Sequence, residues 1–386
     1  MPSNSLSDLT LVIPAYNRPA YLERQIDYWA GSGVQLCILD GSKNPAPPEL
    51  VARMGADVHY EYMPIGFNER LVHASNIVKT KYVALLGDDE LYVKQGLQDC
   101  LDLLDNDQNL IGCVGRTLFF FHRDGEIFGH QAYEKSRDLE GMYGDNLNRL
   151  KESFPGGDPS AAPYLLYGVF RREQWSTMFS SAYGRHYSSG YVYELALLFI
   201  GACLGPTKMV DSLVWLRSGE NPAMSSAAVN RKIGTGEWGT SPDFASEYED
   251  FIQRTTDVLK QCGVAPSENI ERAVREVAEQ FFAYSLHKPH RPIAYWHRLL
   301  GFVASNTPQW VKNLLKRNMT KSLGTLLDYK GVPFSEALIQ LRQNGVVFNQ
   351  EEMNTLRTFL LEFHSRVEKT SRGSFQTEEE LQDPKT

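Results

Sequence analysis

The strongest constraint on the fold is a rhythm in the first hundred residues, where short apolar runs stop at polar motifs and give way to helical stretches. Leu9-Thr10-Leu11-Val12-Ile13 reads as a buried strand, stopped by Pro14 and followed by Ala15-Tyr16-Asn17-Arg18. Asn17-Arg18-Pro19 opens a helix expected to run to Trp29, with the proline in its first turn, where its missing N–H is tolerated. Residues 34–39 form a second apolar run, ended by Asp40-Gly41-Ser42 and a loop containing Pro45, Pro47 and Pro48. A weaker strand at 58–62 precedes a helix at 67–78. The run at 82–86 ends in Gly87-Asp88-Asp89-Glu90 and is followed by a helix at 93–104. Strands alternating with helices imply right-handed crossover units and a largely parallel sheet. The expected class is therefore α/β, a Rossmann-like, mostly parallel mixed sheet flanked by helices. Ligands of such sheets lie outside the carboxyl ends of the strands. Asn17, Asp40, Asp88 and Asp89 all fall at those ends.

Beyond residue 112 the pattern changes. Runs at 113–122 and 126–131 flank Arg123-Asp124-Gly125, a hairpin signal with glycine at the turn. Residues 132–162 are polar and rich in Gly and Pro and read as a surface loop. A strand at 164–170, a helix at 191–204 and a strand at 207–217 follow, then a Gly/Ser/Asn-rich loop to Pro242. The remainder reads as helical to Val367, with a polar tail expected to be disordered. These boundaries divide the chain into residues 1–240, the α/β unit, a mainly helical domain at 241–367, and a tail at 368–386.

At 386 residues, with 42% hydrophobic and 22% charged side chains, the chain is long and apolar enough for about two domains, which excludes a mostly disordered protein. Its five cysteines are odd in number, scattered and never in C-x-x-C spacing, so a zinc site or disulfide framework is not expected and a reducing compartment fits. Residues 1–10 lack the features of a signal peptide, and the longest apolar stretch, 195–204, is far short of the roughly 20 residues that span a bilayer. A cytoplasmic location is the expectation.

Net charge is −8, yet residues 280–327 hold Lys288, Arg291, Arg298, Lys312, Lys316, Arg317 and Lys321 with no Asp or Glu, so the rest carries −15. Tyr295, Trp296, Phe302 and Trp310 are interleaved with these cations. Basic and aromatic residues together suit a helix lying on an anionic membrane surface. The competing reading is a helical unit that packs its aromatics on the core and leaves its cations solvated. A nucleic acid partner is not expected.

Asp88-Asp89-Glu90 is the sharpest chemical feature. Mg²⁺ and Mn²⁺ take carboxylate oxygens and pair with substrate phosphates, so one carboxylate can serve a metal and another a ribose hydroxyl. An acidic turn favoured by a helix N-terminus is the structural alternative. Asp40 can accept a hydrogen bond from a base imide, or simply close an Asx turn. Arg70 can stack on a base or bond a phosphate, or lie on a solvated helix face. The chain has no phosphate-binding P-loop, no convincing dinucleotide fingerprint, no G-x-S-x-G elbow and no H-E-x-x-H helix. His287, His290 and His297 lack hard oxygen ligands nearby.

Three segments, Leu11-Val12-Ile13-Pro14-Ala15-Tyr16-Asn17-Arg18, Ile38-Leu39-Asp40-Gly41-Ser42 and Tyr82 to Leu91 with its Gly87-Asp88-Asp89-Glu90, resemble in order and spacing the family 2 nucleotide-sugar glycosyltransferases of GT-A fold. The resemblance is clear over residues 9–120, weaker to 220 and absent beyond 240. It implies that Pro14, Tyr16, Asn17, Arg18, Asp40, Arg70 and Asp88 hold the nucleotide sugar, and that Asp89, with Asp88, binds Mn²⁺ or Mg²⁺. The family's usual Asp-x-Asp is Asp-Asp-Glu here. It further implies a general base at the start of an acceptor-side helix. Glu194 is that candidate, standing alone where family members often carry Glu-Asp. Arg217, beside the loop at 218–239, is a candidate diphosphate clamp. The implied activity is metal-dependent, inverting sugar transfer to a hydroxyl of a saccharide or lipid-linked acceptor. An inactive module that only binds nucleotide or carbohydrate is the alternative. A nucleotidyltransferase would show a Gly-rich basic loop after the first strand, which Tyr16-Asn17-Arg18-Pro19 is not.

Overall fold

Three strands carry the first motifs, and each is apolar because both faces of the sheet are covered, whereas a fourth, at the sheet edge, is half-polar and partly exposed. The computed structural model describes residues 6–136, 145–159, 164–221, 233–263, 270–287 and 331–380. Strands β1 (Leu9–Ala15), β2 (Gln35–Asp40), β3 (Val58–Tyr62) and β4 (Tyr82–Leu85) are parallel, in the order β3-β2-β1-β4. Side chains alternate between two cores. Leu9, Leu11 and Ile13 of β1 face helices α1 (Pro19–Trp29) and α4 (Lys94–Asn106), whereas Val12 faces α3 (Phe67–Ile77). A short helix, α2 (Pro48–Val51), follows the proline-rich loop.

The sheet then becomes mixed. A two-residue strand, β5 (Leu91–Tyr92), precedes the hairpin β6 (Gly112–Arg123) and β7 (Glu126–Ala132), whose seven paired residues from Thr117↔Ala132 to Arg123↔Glu126 match the sequence expectation. Strand β8 (Val169–Arg171) runs antiparallel between β4 and β6, and β9 (Thr207–Ser218) lies parallel to β6 and antiparallel to β5. A terminal strand, β10 (Val332–Pro333), adds to β7.

Three stretches differ from the sequence reading. The expected loop at 132–162 contains α5 (Asn146–Ser153), started by Asp145, whose side chain accepts from the Asn148 N–H at 2.8 Å. Buried Leu150, with Phe154 one turn on, gives this helix its apolar face, a signal that the surrounding polar residues dilute. The strand expected at 164–170 is a 3₁₀ turn at Leu165–Tyr167, and only Val169–Arg171 pairs. The loop leading to Pro242 includes a helix at Thr235–Thr240, pinned by fully buried Trp238.

Helices α6 (Arg172–Tyr183) and α7 (Gly190–Leu204) join α3 on one face, and the helices Ala245–Gln261 and Ile270–His287 share that core through Phe251, Ile252, Val274 and Phe282. The helices Phe334–Gln343 and Gln350–Glu380 pack elsewhere, closing a third core with Leu118, Phe120, Ile127 and Leu216. Helix Gln350–Glu380 continues past Val367, where the sequence suggests a disordered tail. All seven cations of the 280–327 segment lie outside the described residues. Among the described residues no helix is long and apolar enough to cross a membrane.

Candidate active site

Strand register brings the motifs together. Ala15 pairs with Asp40 and Asp40 with Tyr62, so β1, β2 and β3 end at one level; β4 ends opposite Val12, and the turn after it carries Asp88 up to the same rim. The loops beyond them are laced to one another. Asn17 adopts a left-handed backbone (φ 54°), a conformation Asn tolerates better than most residues. Its N–H donates to Ser42 Oγ at 2.7 Å, and its side-chain oxygen accepts from the Lys43 N–H at 3.0 Å. Asp40, 2% exposed, accepts from the Ser42 N–H at 2.9 Å and the Tyr60 hydroxyl at 2.8 Å. A cleft of about 280 Å³ opens here, lined by Asn17, Arg18, Asp40, Ser42, Asn44 and Pro45, among others. Pro14 is buried inside β1, whereas Tyr16 is exposed at the rim.

The acidic turn adjoins this cleft. One nitrogen of Arg18, Nη1, lies 2.9 Å from Asp88 Oδ1 and 3.2 Å from Asp89 Oδ2, so both carboxylates converge on a single positive centre. The Tyr16 N–H donates to Asp88 Oδ2 at 3.4 Å and Asn221 Nδ2 to Asp89 Oδ2 at 3.1 Å. Burial, then the neighbouring Asp89 charge, pushes the Asp88 carboxyl up to about 6, against the pull of Arg18. Burial also raises that of Asp89. Glu90 goes further, to about 8, because burial and the adjacent Asp89 outweigh the hydrogen bonds it accepts from Trp215 Nε1 and the Gly87 N–H. A buried, under-neutralised acid pair is the electrostatic setting in which a cation binds well.

Asp88 and Asp89 fit a hard divalent cation. Such an ion is commonly held by one or two carboxylates and takes its other ligands from phosphates and water. Among the described residues no group of three or more His, Cys, Asp or Glu side chains is placed to hold a metal.

Arg70 is placed differently from the expectation that it touches a base or phosphate. It is 1% exposed beneath the rim, and its Nη1 donates to the main-chain oxygens of Ala15 and Leu39, both at 2.7 Å. A methyl group on Gly41 would come within 2.5 Å of its Cζ. It ties the ends of β1 and β2 together from below.

Glu194 and Arg217 stand at two edges of an aromatic stack that local patterning did not reveal. Arg217 Nη1 donates to the Tyr133 hydroxyl at 2.9 Å, and the Tyr133 ring stacks on Tyr164 at 4.7 Å. The Tyr164 hydroxyl donates to Glu194 Oε2 at 3.1 Å. Tyr167 stacks on Trp215 at 4.0 Å, and the Trp215 indole reaches Glu90 Oε2 at 3.1 Å. The rings come from three distant segments, so only the folded chain shows that they join Glu194 to the acidic turn. Tyr133, in this stack, also has φ 54°, a strained value for an aromatic residue and a common mark of functional sites.

Gln25 and Arg24 were also missed. Gln25, fully buried, donates to the main-chain oxygens of Asp88 at 3.0 Å and Glu90 at 2.6 Å. Its signal was available, since it shares one helix face with Leu22 and Trp29.

Residues 10–165 match the sequence model of glycosyl transferase family 2, and this part of the chain is similar to that family. The mixed, mostly parallel sheet between helices is the architecture expected of it. Solved structures similar to this chain include S. aureus TarS 1-349, at 11% identity over 74% of each chain with a TM-score of 0.46. The same protein in complex with UDP-GlcNAc matches at 11% identity over 79% of this chain and 83% of that one, with a TM-score of 0.42. Glucosyl-3-phosphoglycerate synthase from Mycobacterium tuberculosis, in complex with Mn²⁺, UDP and glucosyl-3-phosphoglycerate, matches at 15% identity over 68% and 81% of the two chains, with a TM-score of 0.33. Likenesses this distant assign neither substrate nor metal to this chain. No curated protein sequence matches it.

Proposed function

We propose that the protein transfers a sugar from a nucleotide-sugar donor to a hydroxyl acceptor, with inversion, and that the transfer depends on Mn²⁺ or Mg²⁺. One observation carries this reading: the polar ends of β1 and β2 line one cleft, and Arg18 in its wall pairs with the two buried carboxylates of the turn after β4. Asp40 supplies a fixed acceptor for the N–H of a base. Asn17 and Ser42 line the same wall. Asp88 and Asp89 hold the cation, and Arg18, drawn to both, is the side chain that must yield as it binds. The cation, when bound, neutralises charge growing on the departing diphosphate.

Glu194 takes the proton from the acceptor hydroxyl. A general base must lie within hydrogen-bonding reach of that proton. The bond from Tyr164 orients Glu194 for this task and leaves it half-buried rather than sealed in the core. The intact carboxylate pair favours an enzyme over a module that only binds. A saccharide or lipid-linked glycan at the cytoplasmic membrane face suits the basic, aromatic 280–327 segment; pelleting with anionic but not neutral vesicles is the expected result there. The donor is identified by thermal shift against a panel of sugar nucleotides with Mn²⁺, since a ligand of the folded state raises its stability. One nucleotide class should raise the melting temperature in wild type and fail to do so in Asp40→Ala. No shift with any donor would refute the reading.

A further inference from the structure

Helix Gln350–Glu380 reaches back to the acidic turn through two consecutive side chains. Phe363 packs edge-on against Tyr21, ring centres 5.1 Å apart, and the Arg24 guanidinium touches both rings, 4.6 Å from Tyr21 and 4.7 Å from Phe363. His364 Nε2 hydrogen-bonds Glu220 Oε1, and its ring stacks on His122 at 4.0 Å. Glu220 Oε2 accepts from Arg24 Nη1 at 3.0 Å, and Arg24 Nη2 donates to the main-chain oxygen of Asp89 at 2.6 Å. The next residue, Asn221, donates to the Asp89 carboxylate itself at 3.1 Å. Helix, loop and acidic turn are thereby joined in one run of contacts.

Burial makes this run informative. Arg24 is fully buried and the Glu220 side chain is 4% exposed. An ion pair so deep is costly to desolvate, and apolar residues of similar volume commonly serve stability as well or better. The helix does not need His364 for anchorage, because Met353, Leu356 and Leu360 already fix it in the core shared with Phe120 and Leu216. What the polar run adds is a grip on Asp89 from two sides, its main chain and its carboxylate.

We propose that His364 is a positioning residue: acting through Glu220 and Arg24, it holds Asp89 in the geometry that binds the divalent cation, so that the C-terminal helix completes a site otherwise built from the N-terminal strands. The cation part of this rests on the function proposed above, whereas the link from His364 to the turn does not. The test therefore has two readouts on the full chain. In chelator, hydrogen–deuterium exchange of residues 86–92 should quicken in His364→Ala and return to the wild-type rate in His364→Gln, which keeps a side-chain N–H donor. With Mn²⁺ alone, electron paramagnetic resonance should show binding weakened about tenfold in His364→Ala and restored in His364→Gln, at the low end for lost outer partners of metal ligands. Met353→Ala, which loosens the same helix away from the run, should lower the melting temperature and leave both readouts unchanged. Unaltered exchange in His364→Ala, or equal changes in Met353→Ala, would overturn the proposal. Absence of Mn²⁺ binding in wild type would instead refute the cation reading, with exchange still deciding the link.

Discussion

Replacing Glu90 by glutamine should make the metal-free protein more stable at neutral and alkaline pH, by an amount that the site's electrostatics define. Glu90 is 7% exposed, and burial with the neighbouring Asp89 moves its carboxyl from 4.5 to about 8. Between those values the folded protein holds a proton that the unfolded chain has released. The stability from this group is therefore full below pH 4.5 and is lost as pH rises through 8. At roughly 1.4 kcal/mol per pH unit the loss is about 3 kcal/mol at pH 7 and about 5 kcal/mol above pH 8. Glutamine has the same shape, stays neutral and can still accept from Trp215 Nε1. Urea unfolding of both proteins in chelator at pH 4, 7 and 9 is the assay. The two should coincide at pH 4, and Glu90→Gln should gain progressively at pH 7 and 9. A difference independent of pH would refute the claim that a buried carboxyl, held protonated by its surroundings, sits beside the acid pair.

Arg18→Gln removes the positive centre shared by Asp88 and Asp89, and Mn²⁺ titrated without nucleotide should bind more tightly than to wild type; weaker binding would contradict the stand-in role of the guanidinium. Gly41→Ala forces a methyl group to 2.5 Å from Arg70 Cζ, and a cost of about 1–3 kcal/mol in urea unfolding is expected from such overpacking. Full stability there would mean that Arg70 does not clamp the strand ends. Glu194→Gln should lower transfer by about 10²-fold or more, as for a lost general base, while calorimetric donor affinity stays at the wild-type value. Retained transfer would move the base to another residue.

The three apolar runs at 9–13, 34–39 and 82–86 were legible because a strand covered on both faces is apolar throughout, and their polar ends marked the site. Register then did what spacing could only suggest, aligning Ala15 with Asp40 and carrying Asp88 to the same rim. The direction of a helical side chain was not legible: Arg70 lies at the strand ends, as its position implied, but points beneath them. His364 and Glu220, 144 residues apart, meet through a packing of helix on hairpin that no local pattern encodes. The rings of Tyr133, Tyr164 and Trp215 converge for the same reason, and each alone looks like ordinary core.

The central claim is that Asp89 belongs to a cation site that drives sugar transfer. Its most direct test is donor turnover, by transfer or slow hydrolysis, in Mn²⁺, in excess chelator, and for Asp89→Asn in Mn²⁺. Turnover should occur in wild type with Mn²⁺ and disappear both in chelator and in the variant, whose melting temperature should stay at or above that of wild type. Full turnover in chelator would contradict the account.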